Sequence, residues 1–403
     1  MKRKLAVGAM LLGLVGTTLA TGAAPAHADG PGVGAPWVVS VGDSAISGEA
    51  GRWAGNTNNS SGNVDALGST AYYDNASNTG EQIVRCHRSK ANEIAIGGGV
   101  NSANLACSGA RTYTQPYSSG SDFKPGLDFY DDGAGHVGQA KVLQQYASTH
   151  NVKLVVALIG ANNYGFADIV QSCVVDFLTS PTWWKDYCYD DSSVSSRFTA
   201  ANQATITAQV AGAFQNLRTA MRNAGYADNA WTLDVQTYAS PVPPGASIRY
   251  SESGYTRQST GGCGLWNRDA DWANSTAVVA MNNSARNGAA QSGLTNAKIL
   301  DMSSLLNGRR LCENTVGLLE EKGVANWTAA GAADKSEWVS QIRTTSTLFG
   351  PYQLQEDLHP NYWGQKALRN CVRQAYNNGV PRGGTCTHGT GLNANGEPNA
   401  ALN

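Results

Sequence analysis

Two side chains that could together make and break a bond to carbon stand far apart in this chain. Ser44 follows the apolar run Trp37-Val38-Val39-Ser40-Val41 through Gly42-Asp43, and His359 stands within Glu356-Asp357-Leu358-His359-Pro360. A strand that breaks at glycine and hands over a serine sets a hydroxyl at the carboxyl edge of a sheet, where open α/β folds build their sites. Acyl transfer needs such a nucleophile, a base in reach of it, a group that orients the base, and donors for the developing oxyanion. Taken singly each signal has a plainer reading: Ser44 as a helix cap, Gly42-Asp43 as a turn. Of the histidines beyond residue 28, His136 and His150 fall at the ends of one helical pattern, where a surface place is expected. His388 lies in a polar tail, and His87 follows Cys86 and could line a pocket or pack beside a bridge. His359 alone precedes a proline and a helix start, which fixes a loop imidazole.

Two further blocks separate these ends: Asn104-Leu105-Ala106-Cys107-Ser108-Gly109 and Gly160-Ala161-Asn162-Asn163. Read in order, the four blocks resemble those of the SGNH (GDSL-type) hydrolase family. The stretch Gly42 to Glu49, with Cys86-His87-Arg88-Ser89 downstream, is similar to its secreted actinobacterial lipase and phospholipase (A1/B) branch. The resemblance implies metal-free, cofactor-free hydrolysis of a carboxylic ester, with Ser44 as nucleophile and His359 as base. It implies an oxyanion hole made of the Ser44 and Gly109 main-chain N–H groups and the Asn162 amide. The family's acid lies three residues before the histidine. Here that residue is Glu356, with Asp357 as the alternative, and a backbone carbonyl as a third way to orient the ring. Asn163 stands where the family has Asp. Gly97-Gly98-Gly99 lacks the lysine and helix start of a phosphate cradle, and Asp131-Asp132 and Asp190-Asp191 lack the spacing of a calcium loop.

These blocks need a scaffold. Short apolar strand patterns fall at residues 37–41, 100–106, 152–159, 230–238 and 297–302. Helical spacing marks 202–224, where Ile206, Val210, Phe214, Leu217 and Met221 recur at three- and four-residue steps, as well as 137–147 and the stretch after Pro360. Strands alternating with helices predict an α/β fold, a three-layer α/β/α sandwich with a central parallel sheet. Residues 56–78 read as a surface loop, and 165–196 and 240–272 as long insertions that wall or cover the site. The tryptophans there (Trp183, Trp184, Trp266, Trp272, with Trp327) suit either a core or an acyl chain or sugar. One domain over 29–386 is expected, followed by a polar, loosely ordered tail over 387–403.

Lys2, Arg3 and Lys4, an apolar stretch and Ala26-His27-Ala28 read as a secretory signal over 1–28. Removing those three cations from the 29 leaves 26 basic against 30 acidic side chains, with no basic block to attract nucleic acid. The eight cysteines fit an oxidising, extracellular compartment. Their spacing suggests four local bridges: Cys86–Cys107, Cys173–Cys188, Cys263–Cys312 and Cys371–Cys386. A monomer acting on a lipid or phospholipid ester, with transient contact to a membrane surface or micelle, is the expected protein. A carbohydrate (acetyl or feruloyl) esterase is the alternative enzyme, and a non-catalytic envelope or glycan-binding module the alternative class.

Overall fold

The computed structural model describes residues 30–118, 120–342 and 356–403; the leader expected at 1–28 lies outside them. Seven strands form one sheet: β1 (Pro36–Gly42), β2 (Asn101–Asn104), β3 (Asn151–Leu158), β4 (Thr232–Gln236), β5 (Ala297–Asp301), β6 (Gly384–Leu392) and β7 (Pro398–Leu402). Their order across the sheet is β2-β1-β3-β4-β5-β6-β7, parallel throughout except for β7, which runs antiparallel to β6. Val38, Val39 and Val41 on β1 and Leu154 to Ala157 on β3 are all fully buried, so both faces of the central strands are covered. Continuous apolar runs are what a two-sided cover requires.

Six helices matter to the site: α1 (Ser44–Ser47), α2 (Gln139–Ala147), α3 (Phe166–Thr179), α4 (Ala200–Asn223), α5 (Val278–Ser292) and α6 (Tyr362–Tyr376). Helices α2, α4 and α5 pack side by side, and α6 lies against β6 and β7 and reaches α1 through Gln365 Nε2, which donates to Ala45 O at 2.8 Å. The result is the expected three-layer α/β/α sandwich. All four expected disulfides form.

Three expectations fail here. The stretch from Thr387 is polar but not loose: it supplies β6 and β7, and α6 packs on that hairpin, with Asn370 Nδ2 donating to Pro398 O at 2.9 Å. The central strands are parallel as expected, and β7 alone adds an antiparallel edge to them. Helix α5 occupies the stretch before β5, where the sequence marks no helical spacing. Its buried face carries Ala280, Ser284, Ala285, Gly288 and Ala289, small residues that let it approach α4 closely; a Cβ on Gly288 would meet Val210 Cγ1 at 2.6 Å. Such a face gives little apolar periodicity to read. Residues 165–196 begin with α3, whose Ile169, Cys173 and Phe177 are buried at four-residue steps, a helical signal that the cysteine-bearing stretch does carry.

Candidate active site

Strand β1 delivers Ser44. Gly42 has φ 138°, and a Cβ there would lie 2.0 Å from Leu158 O, so only glycine lets β1 turn this close to β3. Gln139 on α2 clamps the turn twice: Oε1 accepts from Gly42 N at 2.7 Å and Nε2 donates to Gly42 O at 2.9 Å. Asp43 then caps α1, its Oδ1 accepting from Ala45 N at 3.2 Å, while Tyr238 OH donates to its other oxygen. Burial, added to by the charge of Glu49, pushes the Asp43 carboxyl up to about 7, against the hydrogen bonds from Tyr238 and Ala45. Tyr238 OH also accepts from Ala161 N at 3.0 Å, so one hydroxyl ties the serine turn to the turn that carries Asn162.

The loop after β2 and the turn after β3 bring in the candidate donors. Cys107 N donates to Gly42 O at 3.0 Å, and Asn104 spans from Ser40 Oγ (3.0 Å) to Ser47 O (2.8 Å), which seats this loop on the serine turn. Gly109 follows with φ 79°. Asn162 donates one amide N–H to Ala110 O at 2.9 Å, and its second N–H has no protein acceptor among the described residues. Asn163, at the position where the family resemblance calls for Asp, does structural work: it donates to Thr112 Oγ1 (2.7 Å) and Gln209 Oε1 (2.8 Å) and accepts from Thr112 N (3.2 Å). It locks the two donor-bearing loops together.

His359 arrives from 315 residues away. Its Nε2 lies 2.6 Å from Ser44 Oγ, and its Nδ1 lies 2.8 Å from the main-chain oxygen of Asp357. A carbonyl can only accept, so Nδ1 carries the ring proton and Nε2 is left as the acceptor for the serine hydroxyl. Here the expectation for Glu356 fails. Its carboxylate accepts from Trp53 Nε1 at 2.9 Å and from Tyr72 OH, one donor on each oxygen, and so ties the histidine loop to residues 53–72. Among the described residues, the group at hydrogen-bond distance from Nδ1 is the Asp357 main-chain oxygen. Helix α6 starts just after, capped by Asn361, whose Oδ1 accepts from Trp363 N at 3.1 Å.

Several polar groups beside the pair carry no role in the sequence reading. Glu49, fully buried, accepts from His87 Nδ1 at 2.7 Å and from Ser108 Oγ at 2.6 Å, and its Oε2 lies 3.7 Å from His359 Nε2. Burial alone would raise its pKa, but the charges of His359 and His87 and the hydrogen bonds from His87 and Ser108 outweigh it and hold the carboxyl below its ordinary value. Tyr72 sits in the stretch that reads as a surface loop, yet its hydroxyl is buried on Glu356. The position of Glu49 five residues after the serine is the one signal that could have marked it.

A cleft of about 690 Å³, open solvent at its mouth included, is lined by Ser44, Asn162 and His359 together with Phe166, Met281, Leu306 and Val339. The site is a hydroxyl–imidazole pair at the carboxyl edge of the sheet, with Asn162 and a mostly apolar set of side chains lining the same cleft.

No family model matches the chain, and no curated protein matches it significantly. Among solved structures it is similar to the extracellular lipase from Streptomyces rimosus, at 18% identity and a TM-score of 0.44 over 85% of this chain and 100% of that one. It is also similar to phospholipase A1 from Streptomyces albidoflavus NA297, at 17% identity and a TM-score of 0.42, over 85% and 99% of the two chains. A family two carbohydrate esterase from Clostridium thermocellum follows at 11% identity and a TM-score of 0.34, over 85% and 64%. Likenesses this distant leave the function to be read from the site itself.

Proposed function

We propose that the protein is a secreted serine ester hydrolase acting on lipid esters, a phospholipase of A1 or B type or a lipase, through a covalent acyl-serine. The observation that carries the reading is the 2.6 Å contact between His359 Nε2 and Ser44 Oγ with the ring oriented from behind. Ser44 Oγ attacks the ester carbonyl carbon as its proton passes to Nε2. The oxyanion is met by the Ser44 and Gly109 N–H groups and the Asn162 amide, and Nε2–H⁺ protonates the departing alcohol. Water, deprotonated by the same nitrogen, then splits the acyl-serine to the free acid. The Asp357 carbonyl holds the tautomer through both halves.

Two features favour a lipid acyl group. The slot behind Ser44 is lined by Phe166, Pro241, Val278, Met281, Leu306 and Val339 and suits an alkyl chain rather than a sugar. Trp183 and Trp184 stand 83% and 73% exposed, and an indole with an apolar body and a polar N–H suits a lipid–water boundary. Four disulfides fit export. The test is release of p-nitrophenol from acetyl, octanoyl and palmitoyl esters by the wild type and Ser44→Ala, followed by product analysis on a mixed-chain phosphatidylcholine. Expected is a burst with the wild type alone and a preference for the longer chains. A preference for acetyl moves the substrate to carbohydrate esters, and no release from any ester leaves the binding module.

A further inference from the structure

We propose that Glu49 is a positioning residue for the imidazole: its buried carboxylate, held by His87 and Ser108, stabilises the imidazolium that forms on His359 when Ser44 gives up its proton. The inference rests on the serine-hydrolase reading above and adds to it a charge that the Asp357 carbonyl does not supply. The two nitrogens of His359 have unequal surroundings. Nδ1 meets a neutral carbonyl, whereas Nε2 meets both Ser44 Oγ at 2.6 Å and Glu49 Oε2 at 3.7 Å. An opposite charge within about 4–6 Å favours the protonated ring, and does so strongly where water is excluded. Glu49 has no exposed surface.

The carboxylate is also fixed in place. Gly48, at φ 90°, turns the chain out of α1, and each oxygen of Glu49 takes a separate hydrogen bond: Oε1 from His87 Nδ1 at 2.7 Å, Oε2 from Ser108 Oγ at 2.6 Å. Both donors flank the Cys86–Cys107 bridge, and Ser108 N donates to Cys86 O at 3.1 Å, so the holder is covalently stapled. His87 sits at φ 50°, a conformation that disfavours most side chains, while its Nε2 has no hydrogen bond among the described residues and lies 3.8 Å from Glu81 Oε1. If His87 served only to fill space, such strain would have no return. The charged and titratable groups around the pair are His87 and Glu81 from the 81–88 loop, Lys124, Asp43 below Ser44, and Tyr72 with Glu356 on the far side. Burial lowers the Lys124 amine and the charge of Glu49 opposes that, while hydrogen bonding to Glu49 raises His87 against its own burial. Glu49 is the carboxylate of this group whose oxygen faces Nε2.

The experiment is the pH profile of kcat/KM for Glu49→Gln and His87→Asn on a soluble p-nitrophenyl ester, with Ser44→Ala alongside. Glu49→Gln keeps shape and removes charge. Its kcat should fall on the order of ten- to a hundredfold with KM unchanged, and its acid limb should move about one unit to lower pH, since the imidazolium loses its counter-charge. His87→Asn keeps a donor for Glu49, tolerates φ 50° and removes the competing cation, so its limb should move the other way, to higher pH. Opposite shifts are not what two packing defects produce. Limbs that coincide with the wild type, or that move together, overturn the proposal. Should Glu49→Gln not fold, His87→Asn decides alone: an unmoved or lowered limb overturns it. Full activity in Ser44→Ala would instead sink the hydrolase reading, whatever Glu49 does.

Discussion

Ser44 and His359 meet at 2.6 Å, yet the two sides of that contact are built differently. The serine side is main chain held by main chain and by buried amides: β1 against β3, Gly42 clamped by Gln139, Asp43 N on Leu158 O at 3.0 Å, α1 closed by Gly48. The histidine side belongs to no strand of the sheet. It is a short loop with Leu358 at φ 59°, sewn to the neighbouring segment by Ser340 N on His359 O (3.0 Å) and Asn361 N on Trp338 O (2.9 Å), and to residues 53–72 through Glu356. Ser44 sits at the end of a central strand hydrogen-bonded on both sides, whereas the loop of His359 depends on tertiary contacts made across more than 280 positions. A site of this kind should lose chemistry, not structure, on the serine side, and should be adjustable on the histidine side.

The largest effects should be equal on both sides. Ser44→Ala and His359→Ala each remove half of one proton-transfer step, so kcat should fall by about 10⁴-fold or more for each, and the double variant should be little worse than either single one. Steady-state rates with active-site titration check this. A multiplicative double variant would mean that the two side chains do not act together.

Next comes the donor that the serine side borrows from the turn after β3. Asn162→Ala should lower kcat by about 10²–10³-fold with little change in KM, the loss of one oxyanion donor. Asn163→Ala, which only unties the two loops from each other, should cost nearer tenfold and lower the melting temperature as well. If the two variants behave alike, the second amide N–H of Asn162 is not aimed at the reacting oxygen.

A third difference concerns charge beneath the serine. The Asp43 carboxyl titrates near 7 in the folded protein, chiefly because it is buried, against about 4 for an exposed aspartate. Between those two values the folded chain keeps a proton that the unfolded chain has lost. Stability therefore declines as pH rises from about 4 to about 7 and levels off above, by roughly 2–4 kcal/mol from this group. Asp43→Asn keeps an oxygen for Ala45 N and should flatten that part of the profile, as urea unfolding at pH 4.5, 6 and 7.5 would read. An unchanged slope would mean that Tyr238 and the α1 N–H hold Asp43 ionised.

The same division explains what could be read in advance. The serine block, both donor loops and the four central parallel strands carry local signals: apolar runs, a glycine where only glycine fits, an asparagine after a strand. Each of those segments falls where its pattern puts it. What could not be read depends on partners distant in sequence. Tyr72 lies in a polar stretch and is buried only because Glu356 comes to it, and β6 and β7 are strands only because β5 and α6 offer them an edge and a face. Helix α5 hides its inward side in alanine, serine and glycine. Glu49 stands in plain view beside the motif, but its purpose needs His87, Ser108 and His359 around it. The spacing that points to Glu356 as the orienting acid is a local rule, whereas the Glu356 carboxylate is claimed by Trp53 and Tyr72, both distant in sequence.

The smallest expected effects test that last point and separate the two sides most sharply. With Nδ1 on the Asp357 main-chain oxygen, no carboxylate is needed to set the tautomer, so Asp357→Ala, which keeps the carbonyl, should hold kcat within about fivefold of the wild type. Glu356→Gln keeps an acceptor for Trp53 Nε1 and offers its amide N–H to the Tyr72 hydroxyl, which can accept, so it should also stay within about fivefold, while Glu356→Ala loosens the loop and should show itself first in the melting temperature. A loss of 10³-fold or more in Glu356→Gln, with the fold intact, would mean that the carboxylate swings onto the imidazole during turnover. The histidine side would then be a true acid-supported triad instead of a carbonyl-oriented pair. The near-neutral outcome follows from chemistry already visible at Nδ1: a carbonyl, like a carboxylate, accepts only and so sets the same tautomer, and the charge that the imidazolium needs comes from the other direction, through Glu49.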